Sequence, residues 1–160
     1  MSKRLLILGY GNPGGLDDGL GPACVEALRS FDLPDVTLES DYQLTVEDAA
    51  LAAEHEVVVF VDATVAGPEP FDFFEVQPAE TLSFSSHVVE PGAVITLAES
   101  LFGARIHAFT LAIRGYQFNE FGEYLSQQAR NNLAAAVQFL APLARSHTLP
   151  TALKPKARMN

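Results

Sequence analysis

Four side chains have the types that metal-assisted hydrolysis requires. Asp17 and Asp18 lie in a glycine-rich loop, Asp62 follows an apolar run, and His87 ends the stretch Ser83-Phe84-Ser85-Ser86-His87. Carboxylate oxygen and imidazole nitrogen together suit a borderline divalent ion such as nickel or zinc. Asp18, Asp62 and His87 as three protein ligands would leave positions open for water or for a partner's own ligand. Asp17 or Asp18 could take a proton from an attacking water as general base. Each residue also has an ordinary reading. Asp17 and Asp18 can cap a helix, because acids are favoured at a helix start. Asp62 can serve the turn after its strand, and a lone histidine is commonly a surface or core residue. One aspartate is enough for a cap, and a second beside it costs repulsion unless a cation or basic partner arrives. That leaves Asp17 open between cap and site and favours the site for Asp18.

The loop holding the pair runs Gly9-Tyr10-Gly11-Asn12-Pro13-Gly14-Gly15-Leu16-Asp17-Asp18-Gly19-Leu20-Gly21-Pro22. Gly9, Gly11 and Gly14 satisfy the dinucleotide-binding pattern G-x-G-x-x-G. Such a loop works by aiming bare N–H groups and a positive helix end at a pyrophosphate. Two carboxylates at that helix start would repel the phosphates and compete for the same donors, so the sequence argues against a nucleotide.

Other nucleophiles offer less. Cys24 stands between Ala23 and Val25 in a predicted helix and reads as buried and inert. Ser85 and Ser86 adjoin His87, but sequence neighbours rarely have nucleophile–base geometry. His55, His107 and His147 fall at a helix end, within a strand and near the C-terminus.

The elements that must position the acids alternate. Residues 4–10 read as a buried strand ending in glycines, 22–31 as a helix with Pro22 in its first turn, and 36–38 as a second strand. Thr45-Val46-Glu47-Asp48 resembles a capping box opening a helix to about residue 54. Five consecutive apolar residues, 57–61, precede Asp62 and suit a strand covered on both faces. Residues 71–76 read as a strand, 91–102 as a helix stopped by Gly103, and 106–113 as another strand. A last helix is expected over 120–145, with Phe121, Leu125, Ala129, Leu133, Ala136, Val137 and Leu140 forming its core stripe. Alternation of this kind predicts an α/β fold: one three-layer domain over residues 1–147, a twisted, mostly parallel sheet flanked by helices, then a frayed tail over 148–160. Sites in such sheets form at the carboxyl ends of strands, where the glycine loop and Asp62 both fall.

Composition narrows the partners. The chain of 160 residues has a net charge of −10, a field that repels phosphate backbones and favours cations or basic segments of a partner. One cysteine excludes an intramolecular disulfide and a Cys/His zinc framework. The apolar run after Arg4 ends at Gly9, too short for a signal peptide or a membrane span. These features predict a cytoplasmic protein with no nucleic-acid or membrane partner.

Taken in order, the segments resemble a known family. Gly11-Asn12 followed by Asp17-Asp18-Gly19-Leu20-Gly21-Pro22 resembles the opening signature of the nickel-iron hydrogenase maturation endopeptidases. Val59-Phe60-Val61-Asp62-Ala63 is similar to that family's second metal-site segment, Ser86-His87 to its histidine segment, and residues 113–126 to the block before its last helix. The order Gly14-Gly15-Leu16 departs from the family, in which leucine often follows the Asn-Pro position directly and glycine precedes the acidic pair. The resemblance implies that Asp18, Asp62 and His87 contact nickel, with Asp17 as acidic neighbour. It implies a hydrolase, monomeric, acting on the hydrogenase large-subunit precursor, whose C-terminal extension is cut after nickel insertion. The nickel would be supplied by the substrate, and another divalent metal could take its place in the isolated protein. The alternative from another class is a non-catalytic metal- or partner-binding module that docks a basic peptide without cutting it.

Overall fold

The computed structural model describes residues 4–79 and 89–149. Its elements are β1 (Leu5–Tyr10), a 3-10 turn (Leu16–Gly19), α1 (Leu20–Leu28), β2 (Val36–Asp41), α2 (Glu47–Ala53), β3 (Val57–Thr64), β4 (Phe71–Glu75), α3 (Pro91–Phe102), β5 (His107–Arg114) and α4 (Gln127–Ser146). The strands form one sheet in the order β2-β1-β3-β5-β4. β2, β1, β3 and β5 are parallel, and β4 closes the edge antiparallel to β5. The α/β, mostly parallel architecture expected from the alternation is the one observed.

The unbroken apolar runs are explained by burial on both faces. Leu5, Ile7, Val57, Val59 and Val61 pack with Leu20, Leu28, Val137 and Leu140, which places α1 and α4 on one face. Leu6, Leu8, Val58 and Phe60 pack with Ala49, Ala52, Val94, Ile95 and Ala98, which places α2 and α3 on the other. Successive strand residues point to opposite faces, so one run of five serves both layers. No helix among the described residues is long and apolar enough to cross a membrane.

Boundaries shift where local chemistry decides them. α1 begins at Leu20, two residues before Pro22, which still lies in the first turn where its missing N–H costs nothing. α2 opens at Glu47, and the Asp48 carboxylate accepts the Thr45 N–H at 2.8 Å, the reciprocal half of a capping box. α3 has Pro91 in its first turn and ends on Gly103 at φ 67°, as its sequence suggests.

The expected start of the last helix at residue 120 is corrected. α4 starts at Gln127, capped by Ser126, whose side chain accepts the Ala129 N–H. Phe121 lies in the preceding loop and is 97% exposed rather than in the core. Gly122 explains the change: its N–H donates to Gly14 O at 2.9 Å and its carbonyl accepts from Leu16 N at 3.0 Å, tying the segment to the glycine loop.

One close approach positions that loop. Gly21, in the first turn of α1, lies so near the sheet that a Cβ there would be driven into the carbonyl oxygens of Tyr10 and Val61. Both contacts are backbone and cannot swing away. Gly21→Ala is expected to cost about 3 kcal/mol, at the upper end of overpacking effects, readable as a shift in a urea unfolding midpoint.

Candidate functional site

The site forms where β1, β3 and β5 end. Gly11, at φ 141°, lets the chain turn off β1 so that the Asp18 carbonyl lies against it, a space a side chain would fill. Asn12 then organises the loop. Its side-chain oxygen accepts Gly14 N–H at 2.9 Å, and its carbonyl accepts Gly15 N–H at 3.0 Å. Its own N–H donates to Asp18 Oδ2 at 2.9 Å. The half-buried Asp18 carboxylate is thereby fixed by one backbone donor. That donor is one a pyrophosphate would need, which weighs against the dinucleotide reading of the same glycines.

Asp17 has a different environment. It is fully buried. Its Oδ2 accepts from Tyr116 N at 2.7 Å, Gln117 N at 2.9 Å and Ser126 Oγ at 2.7 Å, and its Oδ1 accepts from Ser126 N at 2.8 Å. Burial pushes its carboxyl upward, but the donors of Gln117, Ser126 and Tyr116 outweigh it and hold the group below the usual carboxylate range. The helix-cap reading is corrected, since α1 is preceded by Gly19 with no side-chain cap. The same contacts weigh against Asp17 as the general base. A carboxylate enclosed by four donors and held ionised is poorly placed to receive a proton from water. Asp17 latches the glycine loop to the segment between β5 and α4.

Asp62 sits in the exit half of β3, paired in register with Ala112 of β5. Its Oδ1 accepts Ala63 N–H at 2.8 Å. Burial pushes its carboxyl up to about 6; donors from Tyr10 and Ala63 pull it back, and the negative charge of Asp18 adds to the rise. Asp18 and Asp62, 44 positions apart in sequence, therefore feel one another at one sheet edge. Tyr10, the last residue of β1, is raised by burial, by the charge and hydrogen bond of Asp62, and by Glu90. Neither Tyr10 nor Glu90 stood out in the sequence. The available signal was positional: Tyr10 ends a central strand, as Asp62 nearly does, and Glu90 immediately precedes α3.

His87 lies outside the described residues. Among the described residues no group of three His, Cys, Asp or Glu side chains is placed to hold a metal ion, so Asp18 and Asp62 stand as a pair. The donor chemistry suits a cation all the same: a partly desolvated dicarboxylate is relieved by positive charge. The described histidines serve structure or lie elsewhere. His55 contacts Leu51 O at 2.9 Å and Thr37 Oγ1 at 3.1 Å, His147 contacts Pro34 O at 2.6 Å, and exposed His107 opens β5 at the opposite edge.

Cys24 is fully buried, and burial pushes its thiol up to about 12, which removes it as a nucleophile. Cys24→Ala is expected to leave any hydrolytic activity intact and to cost about 1 kcal/mol for the lost sulfur, measurable by parallel activity and thermal-unfolding assays.

A doubly covered, mostly parallel sheet with Asp18 and Asp62 at its carboxyl edge defines the class: an α/β protein with an acidic pair where such sheets form their sites. No family profile and no curated protein matches the sequence. Solved structures do match the fold. The [NiFe] hydrogenase maturation protease HycI from Thermococcus kodakarensis KOD1 superimposes with a TM-score of 0.70 at 24% identity, over 89% of this chain and 93% of that one. The endopeptidase HycI from Escherichia coli gives 0.69 at 18% identity over 96% and 97%. The hydrogenase maturating endopeptidase HybD from E. coli gives 0.64 at 22% identity over 89% and 93%. The chain has the fold of the hydrogenase maturation proteases across nearly its whole described length.

Proposed function

We propose that this chain is a hydrogenase maturation endopeptidase. In this reading it is a cytoplasmic, monomeric hydrolase that removes the C-terminal extension of a nickel-iron hydrogenase large-subunit precursor after nickel insertion. The observation that carries the reading is the convergence of Asp18 and Asp62, brought from separate segments to the carboxyl edge of a sheet shared with such proteases. Nickel belongs to the substrate. Asp18, Asp62 and His87 would bind it while the precursor still holds it, and so set the scissile bond beside Asp18.

The chemistry is hydrolysis of a peptide bond. A water attacks the scissile carbonyl carbon, the C–N bond breaks, and the water's proton passes to the leaving amine. Asp18 is the proton carrier in this scheme, because among the described residues half-buried Asp18 carries one backbone donor whereas Asp17 is enclosed. Substrate-held nickel would polarise the carbonyl or acidify the water. Nickel would also offset the repulsion between Asp18 and Asp62, so a precursor without it would be held less well.

The test is the mass of a large-subunit precursor before and after incubation with the protein. Loss of a C-terminal fragment supports the endopeptidase. An unchanged mass together with a stable complex on size exclusion would instead identify a binding module.

A further inference from the structure

Beside the acidic pair lies a groove that the hydrolysis itself does not use. It has a volume of about 300 Å³. One wall is Pro13, Leu16 and Pro22, from the glycine loop and the start of α1; the other is Glu123, Tyr124 and Leu125, from the segment before α4. The walls are joined at the base. Gly15 and Gly122 form an isolated parallel bridge, Leu16 N donates to Gly122 O, and the Asp17 carboxylate binds Ser126 just beyond Leu125. The groove is therefore preformed rather than a gap between loose loops. Gly19, the chain neighbour of Asp18, lines it too.

Its chemistry selects an occupant. Apolar residues dominate the walls, with Glu26, Ser40 and Glu123 among them, and Tyr124 stands 62% exposed at the rim, the kind of aromatic that anchors peptide contacts. The rim charges are acidic. Arg29 faces Glu26 at 3.1 Å, whereas no ion pair to Glu123 exists among the described residues. The wider charge layout agrees. Arg4, Arg29, Arg105 and Arg145 fall at the end of the molecule where the parallel strands begin; where they end, Asp18, Asp41, Asp62, Glu90 and Glu123 outnumber Arg114 and Arg130. The net charge of −10 is thus weighted toward the groove's side. An acidic groove of this size, lined by proline, leucine and tyrosine, suits a few side chains of an extended chain better than a nucleotide or an acidic ligand.

We propose that this groove docks an extended polypeptide segment that carries lysine or arginine between apolar side chains, and that it guides that segment toward Asp18. The proposal rests on the reading that the protein acts on a polypeptide client, and it adds which part of the surface holds the client and what the client's chemistry must be. The test uses a fluorescein-labelled peptide of leucine and lysine spaced by serine, and its counterpart with glutamate for lysine, titrated with the full chain by anisotropy at low salt. The lysine peptide is expected to bind at least about tenfold more tightly than the glutamate peptide. The double variant Tyr124→Ala/Glu123→Lys is expected to lose about tenfold in affinity, while Leu101→Ala, exposed on α3, loses none. Both substitutions in the double variant are on exposed side chains, and an unchanged melting temperature confirms its fold. Equal binding of the two peptides, or a double variant that binds as wild type, overturns the proposal. A wild-type dimer in sedimentation that the double variant abolishes also overturns it, because a second copy would then cover the groove. Precursor cleavage is followed in parallel. Cleavage that persists while peptide binding ignores the groove removes this proposal alone. Groove-dependent binding with no precursor cleaved removes the endopeptidase reading alone.

Discussion

Asp17→Asn is expected to melt about 10 °C below the wild type at neutral pH. The side chain is fully buried, and every group facing it is a donor: the N–H groups of Tyr116, Gln117 and Ser126, and the Ser126 hydroxyl. Asparagine keeps the shape but turns an NH₂ toward one set of these donors and removes the charge that strengthens the rest. Buried donors then lose their acceptor, at a cost on the order of 4 kcal/mol. For a chain of this size each kcal/mol shifts the midpoint by roughly 2–4 °C. The damage spreads, because Ser126 also caps α4. Because the folded carboxyl is held below its ordinary 3.8, its stabilising contribution is complete above that value and is lost as pH falls through the folded value. The gap between wild type and variant should therefore narrow in acid. Calorimetry at pH 7 and pH 3 measures both. A variant that melts with the wild type at pH 7 would show that the latch contributes little.

Asp62→Asn has the opposite sign for stability and a large negative effect on function. The folded carboxyl is raised from its ordinary 3.8 to about 6, chiefly by burial. The folded protein thus holds this proton more tightly than the unfolded chain does. The cost of ionising Asp62 is absent below about pH 4, grows between 4 and 6, and is complete above 6, so wild-type stability falls through that window. About two pH units correspond to a little under 3 kcal/mol, and partial solvent access reduces this to about 2 kcal/mol. Metal-free Asp62→Asn should accordingly melt about 5 °C above the wild type at pH 7.5 and level with it at pH 4. In precursor cleavage the same variant, like Asp18→Asn, should fall by at least about a hundredfold, the scale of losing one preorganised charge at a reacting centre. A variant that is more stable and inactive marks a residue retained for function. One that is less stable at pH 7.5 would contradict the burial argument.

The sheet was legible because its signal is local and repeated. Residues 57–61 are apolar without a break, and only a strand covered on both faces explains such a run at that length. The caps of α2 and α3 were legible for the same reason, since Thr45, Asp48, Pro91 and Gly103 act within a turn of their own positions. The start of α4 was not. Phe121 and Leu125 fit the helical stripe, so periodicity carries the expected helix past its true start at Gln127. What breaks the helix is Gly122 pairing with Gly14 and Leu16, a contact more than a hundred residues away in sequence. Asp17 escaped for the same reason. Its type and its place among glycines fit a cap or a base equally well, and only its distance to Ser126 and Tyr116 decides. Asp18 and Asp62 could be picked out singly, but their mutual repulsion depends on the order of β1 and β3 in the sheet. Tyr10 and Glu90 were invisible because neither belongs to a motif. His87 was legible as a candidate, and its place lies outside the described residues.

The central claim is that Asp18, Asp62 and His87 read nickel held by the client. The most direct measurement is mass spectrometry of a nickel-loaded large-subunit precursor incubated with this protein, beside the same precursor without nickel. The account predicts loss of a C-terminal fragment from the loaded precursor and none from the nickel-free one. Equal cleavage of both would contradict it, leaving a protease whose paired aspartates do not sense the metal.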